Sequence, residues 1–514
     1  MSKTIIIIGA GLAGLSAALQ AAENGCNVKL VSSFPSERAQ SVMAEGGINA
    51  ALNTKDENDS PEEHFTDTIK AACGLADPNA VWGMTQAAPE LVHWLLKLGV
   101  KFNMSGYDDV DLRNFGGQKK KRTAFAQSDT GKQIMTAMID AVRRKEASGM
   151  VERFSHHSFL TLRLCGNICC GCVIRDEYSQ ETVELPGDAV IVATGGMHGL
   201  FGNTTGSLSN TGEVTAELFR LGVPLANGEM IQYHPTTVKC GGKRMLISEA
   251  ARGEGGRLFA MKDGKQWYFM EEKYPELGNL MPRDITAREI WKVSHESEVF
   301  LDMTEISDEI ISNKLSGLAD DCMTYLHKDI RKEPVSVLPG IHYFMGGILV
   351  DEQHRTPIQN LYAAGECCAQ YHGANRLGGN SLLGALYGGR VAAKSACEQA
   401  DVVDLSCATQ IDFPPASQIS EIKQLNKVMQ ETMGVVRNEN TLLNGIQTVQ
   451  ALTGNLPLLG MAVLKSALAR KESRGAHWRE DYPKSNDDDY LKTTVARFDG
   501  KQIQISFVPV PERR

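Results

Sequence analysis

The first forty residues alternate between strand-like and helix-like hydrophobic patterns. Residues 4–8 are a continuous apolar run, residues 15–23 have the apolar spacing of a helix, and residues 28–31 form a second apolar run. Between the first run and the helix lies the segment GAGLAG, at residues 9–14. Glycines at this spacing permit a tight turn and let a pyrophosphate approach free N–H groups at the positive end of the helix. The pattern predicts a βαβ dinucleotide-binding unit.

Two later apolar segments, at residues 188–193 and 360–364, end in glycine-containing turns and are predicted to join the same sheet. Because they lie far apart in the chain, an insertion of about residues 233–342 is expected to interrupt the nucleotide-binding domain. The pattern changes again near residue 401, and after Pro414-Pro415 the apolar residues follow helical spacing. We therefore predict a mainly helical C-terminal domain, with apolar positions at Ile419, Ile422, Leu425, Val428, Met429, Leu442, Ile446, Val449 and Leu452.

Composition narrows the function to that of a globular, enzyme-like protein. A chain of 514 residues exceeds what one hydrophobic core usually serves, and its hydrophobic (42%) and charged (22%) fractions are ordinary for globular proteins. The formal net charge of -9 argues against a nucleic-acid binder, which usually has a basic face. The 49 glycines cluster in short motifs, which indicates several places where the backbone approaches a ligand closely.

Targeting and cysteine patterns predict a cytoplasmic protein. A strand begins almost at Met1, without the regions of a signal peptide, and no apolar stretch reaches the ~18 to 20 residues that span a bilayer. Any attachment to the inner face of the cell membrane is expected to depend on partner subunits. The twelve cysteines lack framework spacing and are expected to be free thiols. The four cysteines between residues 165 and 172 lie in strand-like sequence, where neighbours point to opposite faces, so packing is favoured over a metal site.

A series of motifs appears in the order found in one known enzyme family. It consists of QYHPT at 232–236, SEAARGEGG at 248–256, PRDI at 282–285, HYFMGG at 342–347, AGE at 364–366, HGANRLGGNS at 372–381 and ESRGAHWREDYP at 472–483. Through this series, from the first strand to about residue 493, the chain resembles the flavoprotein subunits of fumarate reductases and succinate dehydrogenases. L-aspartate oxidase shares most of it.

The predicted fold is therefore α/β, with a Rossmann-like FAD-binding domain at residues 1–232 and 343–400. An α+β capping domain at residues 233–342 interrupts this domain, and a mainly helical C-terminal domain follows at residues 401–514. The resemblance implies that hydride moves between N5 of FAD and a four-carbon dicarboxylate, fumarate or succinate. It implies that Arg283 donates the accompanying proton and that Arg252 and Glu249 are the path by which Arg283 is reprotonated.

The resemblance also implies a role for each further candidate residue. The residues implied in substrate binding are His234, Ser248, Glu249, His342, Arg376 and Phe115. The residues implied in FAD binding are Gly9, Gly11, Leu12, Ala13, Gly14, Ser32, Ser33, Ser41, Ala44, Gly46, Gly47, Ala193, Thr194, Gly195, Glu213, Glu366, Arg376, Ser381, Leu382 and Leu383. Ser32 stands where the usual ribose-binding acid would be, and its hydroxyl can still bond to the ribose.

Residue chemistry supports some of these roles independently. Arg376 lies in a glycine-rich segment, where the fork of its guanidinium can grip one carboxylate with two parallel hydrogen bonds. Glu249 and Arg252 are three residues apart, so on a helix they would share a face, although a surface ion pair has the same spacing. Taken alone, each histidine would be assigned a structural role, and only the motif context favours substrate binding.

Two departures from the family pattern reduce the number of candidate functions. Many respiratory members attach FAD covalently through a histidine, and this chain has Gln40 at the matching position, which predicts non-covalent FAD and a preference for reduction. L-aspartate oxidase has a glutamate that can pair with the substrate ammonium, and here the matching residue is Phe115. A phenyl ring would leave a buried ammonium poorly compensated, which favours fumarate or succinate over aspartate.

Three hypotheses follow for the function. The leading one is a fumarate reductase subunit that receives electrons from an iron–sulfur subunit, because this chain has no cluster motif, with a membrane anchor as a further partner. Residues 474–483 are a candidate contact with that partner, and internal packing is the alternative. The second hypothesis is an L-aspartate oxidase, and the third is a non-catalytic flavin subunit that relays electrons. Neither nucleic acid nor a resident metal is expected.

Overall fold

The computed structural model describes residues 2–106, 109–401, 413 and 418–514, so the Pro414-Pro415 pair lies outside the described residues. The described strands are β1 (Thr4–Ile8), β2 (Asn27–Ser32), β3 (Ile48–Asn49), β4 (Leu112–Arg113), β5 (Thr123–Ala124), β6 (Val151–Ser155), β7 (His157–Cys165), β8 (Ile168–Asp176), β9 (Thr182–Pro186), β10 (Ala189–Val192), β11 (Leu225–Ala226), β12 (Ile231–Cys240), β13 (Lys243–Leu246), β14 (Arg257–Lys262), β15 (Lys265–Trp267), β16 (Val299–Asp302), β17 (Val335–Ser336), β18 (Leu338–Phe344), β19 (Gly347–Leu349), β20 (Leu361–Ala363), β21 (Cys368–Ala369), β22 (Lys492–Phe498) and β23 (Ile503–Pro509). The described α-helices are α1 (Leu12–Glu23), α2 (Pro61–Ala71), α3 (Pro78–Leu98), α4 (Thr130–Ala147), α5 (Glu213–Arg220), α6 (Glu249–Gly253), α7 (Phe269–Lys273), α8 (Arg283–Val293), α9 (Asp308–Lys314), α10 (Ser316–Asp321), α11 (Asn380–Gln399), α12 (Ile419–Thr432), α13 (Glu439–Val449), α14 (Asn455–Ala469) and α15 (Asp487–Tyr490).

A parallel five-stranded sheet, in the order β20-β10-β1-β2-β6, lies at the centre of the nucleotide-binding region. The strands β1 and β10 are buried along nearly their whole length, which explains their continuous apolar runs. The helix α1 begins at Leu12, within the glycine motif, three residues before the start that apolar spacing predicted. The predicted βαβ unit is confirmed, and so is the prediction that the two later apolar segments join the same sheet.

The inserted region begins on β12 and ends on β18, which pair antiparallel. Between them lie the remainder of the sheet β13-β12-β18 and the separate sheet β15-β14-β16-β17. The region has its own apolar cluster, which includes Leu258, Ile290 and Leu301 and also receives Phe115 from the nucleotide-binding region. The predicted boundaries at residues 232 and 342 fall inside β12 and β18, so both strands continue across them.

The C-terminal region contains the predicted helices. α12, α13 and α14 pack around an apolar cluster that includes Leu425, Leu442 and Leu459, which confirms a helical C-terminal domain. The hairpin of β22 and β23 was not predicted, and it extends the sheet β21-β19-β11-β22-β23. Half-buried and exposed residues alternate in the first part of β23, which is the period of a strand with one covered face.

A buried network of charged residues ties the end of α14 to the rest of the chain. The Nε atom of Arg470 donates to Glu229 Oε1 at 2.7 Å, and its Nη1 donates to Glu472 Oε1 at 2.7 Å. Glu472 also accepts two hydrogen bonds from Arg474, at 2.8 and 2.9 Å. Within the candidate contact at residues 474–483, the side chains of Arg474, His477 and Arg479 are buried, so this part packs internally, which was the alternative to a partner contact.

None of the described helices is long and apolar enough to cross a membrane. Within the described ranges, no group of three or more His, Cys, Asp and Glu side chains is arranged to hold a metal ion. Of the cysteines in the described ranges, ten are free thiols, but Cys165 is disulfide-bonded, so the expectation of free thiols was wrong for that residue. Cys169 and Cys172 pack in the apolar cluster on one face of the parallel sheet.

Candidate active site

A cavity of about 1110 Å³ opens at the carboxyl ends of β1, β2 and β10 and extends to the inserted region. This edge of a parallel sheet is where α/β proteins bind their ligands. The walls come from the glycine motif, from residues 38–47, from β12 and β18, from the start of α6 and from the segment before α11. The sheet therefore supplies one end of the cavity and the inserted region supplies the other.

The glycine motif and β2 form the nucleotide-binding end. Gly9 has a φ of +112°, and a Cβ atom there would lie 2.2 Å from the carbonyl oxygen of Ala193. A Cβ atom at Gly14 would lie 1.8 Å from the carbonyl oxygen of Gly9, so this glycine allows α1 to pack against the end of β1. At the end of β2, the buried hydroxyl of Ser32 has no hydrogen-bond partner among the described residues. An unpaired buried hydroxyl at this position fits a ribose hydroxyl of a bound nucleotide.

Residues 40–47 form the middle of the cavity wall. The Gln40 side chain accepts a hydrogen bond from the Ser207 backbone N–H at 2.6 Å. The Ser41 hydroxyl accepts one from the Leu12 N–H, at the start of α1, at 3.3 Å. Gln40 thus lines the cavity at the position where the resemblance places a histidine, and the backbone of the loop that follows β10 holds its side chain.

A β-bulge presents the two predicted substrate-binding histidines. β12 and β18 pair Gln232 with Tyr343 and Tyr233 with Ile341, so His342 is the extra residue between the two pairs. A bulge re-aims a side chain that regular pleating would direct elsewhere. The rings of His234 and His342 consequently lie edge to face, with centroids 5.1 Å apart, at the substrate end of the cavity.

Both histidines are held neutral at pH 7. Burial and the positive charge of Arg283 lower the pKa of His234 and of His342 well below the ordinary histidine value. Nδ1 of His342 lies 2.8 Å from the Thr205 hydroxyl, and Nδ1 of His234 lies 3.1 Å from the Thr236 carbonyl oxygen. These contacts orient the rings, and Nε2 of neither ring bonds to another described residue.

Arg283 is fixed at the cavity wall by two side chains. Its Nε and Nη2 atoms lie 2.7 and 2.6 Å from Glu249 Oε2, and its Nη1 donates to Gln232 Oε1 at 3.1 Å. Burial opposes ionisation of Glu249, but Arg283 and Arg252 outweigh it and lower the pKa of this carboxyl. Arg252 lies behind Glu249, with Nη2 3.5 Å from Oε1, and does not line the cavity. The three residues form a buried row of cation, anion and cation.

Arg376 supplies a second cation, and no acidic side chain among the described residues forms an ion pair with it. Its side chain is buried, its guanidinium carbon lies 4.3 Å from the centroid of the Tyr343 ring, and its Nε has no hydrogen-bond partner in the described part of the chain. Burial, with a further effect of Arg283, lowers the pKa of Arg376 to about 9. A buried cation without a partner is costly, so this geometry is suited to an anionic ligand.

Phe115 closes the apolar side of the substrate end. The residue is 2% exposed, and its ring lies against Gly46, where an added Cβ atom would come within 2.7 Å of the ring. The next residue, Gly116, donates its N–H to Glu249 Oε1 at 2.9 Å. The ring is thereby placed between the middle of the cavity and the cationic substrate end.

The cavity brings together every predicted substrate-binding residue and Arg283. Among the predicted FAD-binding residues, Gly14 and Leu383 do not line it, because the first packs against β1 and the second is buried within α11. The other predicted FAD-binding residues do line it. The chemical roles assigned to these residues stay predictions.

Three residues of the site were not predicted from the sequence. Gln232 contacts Arg283, and its position two residues before His234 on one strand, hence on the same face, was a usable signal. Thr205 orients His342 from a distant loop, and nothing in its sequence neighbourhood pointed to that contact. Glu45 also lines the cavity, but only its neighbours Ala44 and Gly46 were predicted to belong to the site.

Comparisons with known proteins agree with this geometry. One family model, the FAD binding domain, matches residues 4–382, and another, the fumarate reductase flavoprotein C-term, matches residues 452–513. The chain is 38% identical to the succinate dehydrogenase flavoprotein subunit of Bacillus subtilis, over 100% of this chain and 98% of that protein. It is 32% identical to the 8-methylmenaquinol:fumarate reductase flavoprotein subunit of Wolinella succinogenes, over 100% and 92%. A quinol fumarate reductase structure from E. coli superimposes with a TM-score of 0.90 at 27% identity, over 99% of this chain and 97% of that chain.

Proposed function

The chain belongs to the fumarate reductase and succinate dehydrogenase flavoprotein family, whose members are FAD-dependent oxidoreductases acting on a CH–CH group, and from this premise we propose that it is the catalytic subunit of a fumarate reductase. The observation that carries the proposal is the placement of Arg283, which Glu249 and Gln232 hold at the wall of a cavity that Arg376 also lines. Two cations at one end of a nucleotide cavity complement a dicarboxylate of charge -2.

Each residue of the site has its own role in the proposed reaction. When bound, FAD supplies hydride at N5. Arg376 holds one carboxylate of the substrate, and His234, His342 and Ser248 donate to or surround the carboxylates. Arg283 donates a proton to the alkene carbon next to the one that receives hydride, and Glu249 and Arg252 return a proton to it. The ring of Phe115 keeps water from the uncharged C2–C3 unit.

Reduction of fumarate is the favoured direction. Gln40 lines the cavity at the histidine position, and its amide nitrogen is not a nucleophile. Without the electron-withdrawing histidyl link, the flavin potential is expected to be lower, which favours delivery of hydride to fumarate over its removal from succinate. Electrons arrive through an iron–sulfur subunit, and an anchor subunit is the further partner that would attach the complex to a membrane.

We expect FAD to be released when the protein is denatured. No covalent bond forms at Gln40, so acid precipitation of the holoprotein should leave the yellow flavin in the supernatant. The measurement is the flavin absorbance of supernatant and washed pellet. A Gln40→His variant is the matched comparison, because it restores the nucleophile at the same position. Flavin that remains in the pellet of the unaltered protein would show that another residue attaches it.

Phe115 is the residue that distinguishes a fumarate reductase from an L-aspartate oxidase in this proposal. Replacing Phe115 with glutamate places a negative charge where the substrate is already doubly negative, so we expect dicarboxylate binding to weaken at least about tenfold. The measurement is the dissociation constant of fumarate, with Phe115→Leu as the uncharged control. If Phe115→Glu binds fumarate as tightly as Phe115→Leu does, the ring does not lie beside the substrate.

One turnover experiment tests the function as a whole. The FAD-loaded chain is assayed anaerobically with reduced viologen against fumarate, maleate, L-aspartate and longer enoates. Fumarate reduction that exceeds all other activities supports the proposal. Flavin reduction by aspartate without fumarate turnover would identify an L-aspartate oxidase, and a loaded protein that turns over none of them would be the non-catalytic electron relay.

A further inference from the structure

Two sequence motifs supply the two cations of the proposed site, and each contains a neighbouring residue that has no role in the proposed reaction. Asp284 follows Arg283 at the start of α8, and Asn375 precedes Arg376 in the segment before α11. The Nδ2 atom of Asn375 donates a hydrogen bond to Asp284 Oδ1 at 2.9 Å. The neighbours of the two cations are therefore bonded to each other, although 91 positions separate them in the chain.

Gln232 on β12 links this pair to both cations. Its Oε1 atom accepts from Arg283 Nη1 at 3.1 Å, and its Nε2 atom donates to Asn375 Oδ1 at 2.9 Å and to the Arg376 carbonyl oxygen at 2.8 Å. Gln232, Asn375 and both arginines are buried. Hydrogen bonds of buried groups are costly to leave unmade, so these contacts hold the cations in a fixed relation.

The groups at the two ends fix the direction of these hydrogen bonds. A guanidinium can only donate, and a carboxylate can only accept. With Arg283 at one end and Asp284 at the other, each of the two amides between them accepts on one side and donates on the other. Turning either amide over would set a donor against a donor or an acceptor against an acceptor. The link therefore has a single arrangement.

The spacing of the two cations decides which dicarboxylates fit between them. In the proposed reaction Arg376 holds one carboxylate, while Arg283 must lie next to the carbon that it protonates. A misplacement of about 1 Å between such groups can cost roughly 10²-fold in rate. We propose that Asn375 and Asp284 are positioning residues, which set the spacing of the two cations and thereby select the length of the dicarboxylate. This inference rests on the proposed function.

An exchange of the two side chains tests this role. Asn375→Asp replaces the donor that faces Asp284 with an acceptor, so two carboxylates oppose each other and the hydrogen bond is lost. Adding Asp284→Asn restores an amide–carboxylate pair with donor and acceptor exchanged, and the introduced carboxylate can still accept from Gln232. Asn167→Asp is the matched control, because it adds the same charge at an exposed asparagine whose amide donates to the Pro357 carbonyl.

The measurement is competitive inhibition of fumarate reduction by malonate, succinate and glutarate, with reduced viologen as the donor so that none of these inhibitors is oxidised. One methylene changes binding in a well-formed pocket by about 10- to 200-fold. We therefore expect the three inhibition constants to differ by at least about tenfold in the unaltered chain and in Asn167→Asp, and by less than about threefold in Asn375→Asp. Turnover in Asn375→Asp should fall roughly 10²-fold, and the double variant should recover most of both properties.

A second variant keeps the test independent of whether Asn375→Asp loads FAD. Asn375→Leu removes both hydrogen bonds without adding a charge, and it should narrow the spread of the inhibition constants in the same way. If either variant at this position weakened all three inhibitors in equal proportion, or kept the original constants, the inference would be overturned and the proposed function would stand. Equal inhibition constants in an active unaltered chain would have the same meaning. An FAD-loaded unaltered chain that does not reduce fumarate would overturn both.

Discussion

Replacing Arg283 with alanine is expected to abolish turnover while leaving FAD and dicarboxylate binding largely in place. Removal of an ordinary general acid costs about 10²- to 10⁴-fold in rate. The loss here should exceed that range, because Arg283 also places a positive charge beside the carbon at which negative charge develops. The measurement is fumarate turnover with reduced viologen, together with the dissociation constant of malonate.

Arginine can be the proton donor although it is a very weak acid. Keeping it neutral at pH 7 would cost roughly 7 kcal/mol or more, from a pKa at least ~5 units too high, so it is not a stored base. Hydride attack makes the neighbouring carbon strongly basic, and the proton moves in that step. Glu249, ionised and 2.6 Å from Nη2, stabilises the guanidinium before and after it.

Two variants separate the roles in this prediction. Arg376→Ala should weaken malonate binding first, since its buried guanidinium lies at the substrate end of the cavity. Arg288→Ala is the matched control on the same helix, where the guanidinium stacks on Trp478 with its carbon 4.0 Å from the ring centroid. If Arg283→Ala kept more than about a tenth of the original turnover, against the general-acid range, another group would be the proton donor.

Replacing Arg470 with alanine is expected to destabilise the fold by roughly 3–5 kcal/mol, the usual cost of breaking a buried ion pair by removing one partner. Its guanidinium bonds to Glu229 and Glu472, and all three side chains are fully buried. The substitution leaves the buried Glu229 carboxylate without its ion-pair partner and leaves Glu472 with Arg474 alone. It also removes bonds to the Tyr490 and Lys492 carbonyls. The measurement is the free energy of unfolding in urea with FAD in excess.

The control for this prediction is an exposed ion pair. Arg143 pairs with Glu37 at 2.6 Å, and both side chains are more than half exposed. Surface pairs of this kind contribute about 0–1 kcal/mol, so Arg143→Ala should change the unfolding free energy by no more than that. Equal effects of the two substitutions would mean that the buried network does not stabilise the C-terminal region.

Local sequence patterns predicted an element correctly wherever the interactions that form it lie within a few residues of one another. The run of isoleucines in β1 and the glycine motif before α1 specify a strand, a turn and a helix within a few residues of one another. The buried interior of a parallel sheet reads as unbroken apolar sequence, which is why the strands near residues 190 and 361 were recognised. The hairpin of β22 and β23 was missed although the first part of β23 alternates, because its partner strand β11 is distant in the chain.

The sequence by itself determined the nucleotide-binding start, the helical C-terminal region and the residues predicted to bind substrate, all of which line the cavity. Only the tertiary structure decided how those residues face one another. His342 reaches the site because a bulge against β12 makes it the extra residue, and Thr205 orients it from a separate loop. The pKa of Glu45 is raised by burial and by the negative charges of Asp321 and Asp129, which lie far from it in the chain. Burial and electrostatic coupling depend on distance in space, and the order of residues does not encode that distance directly.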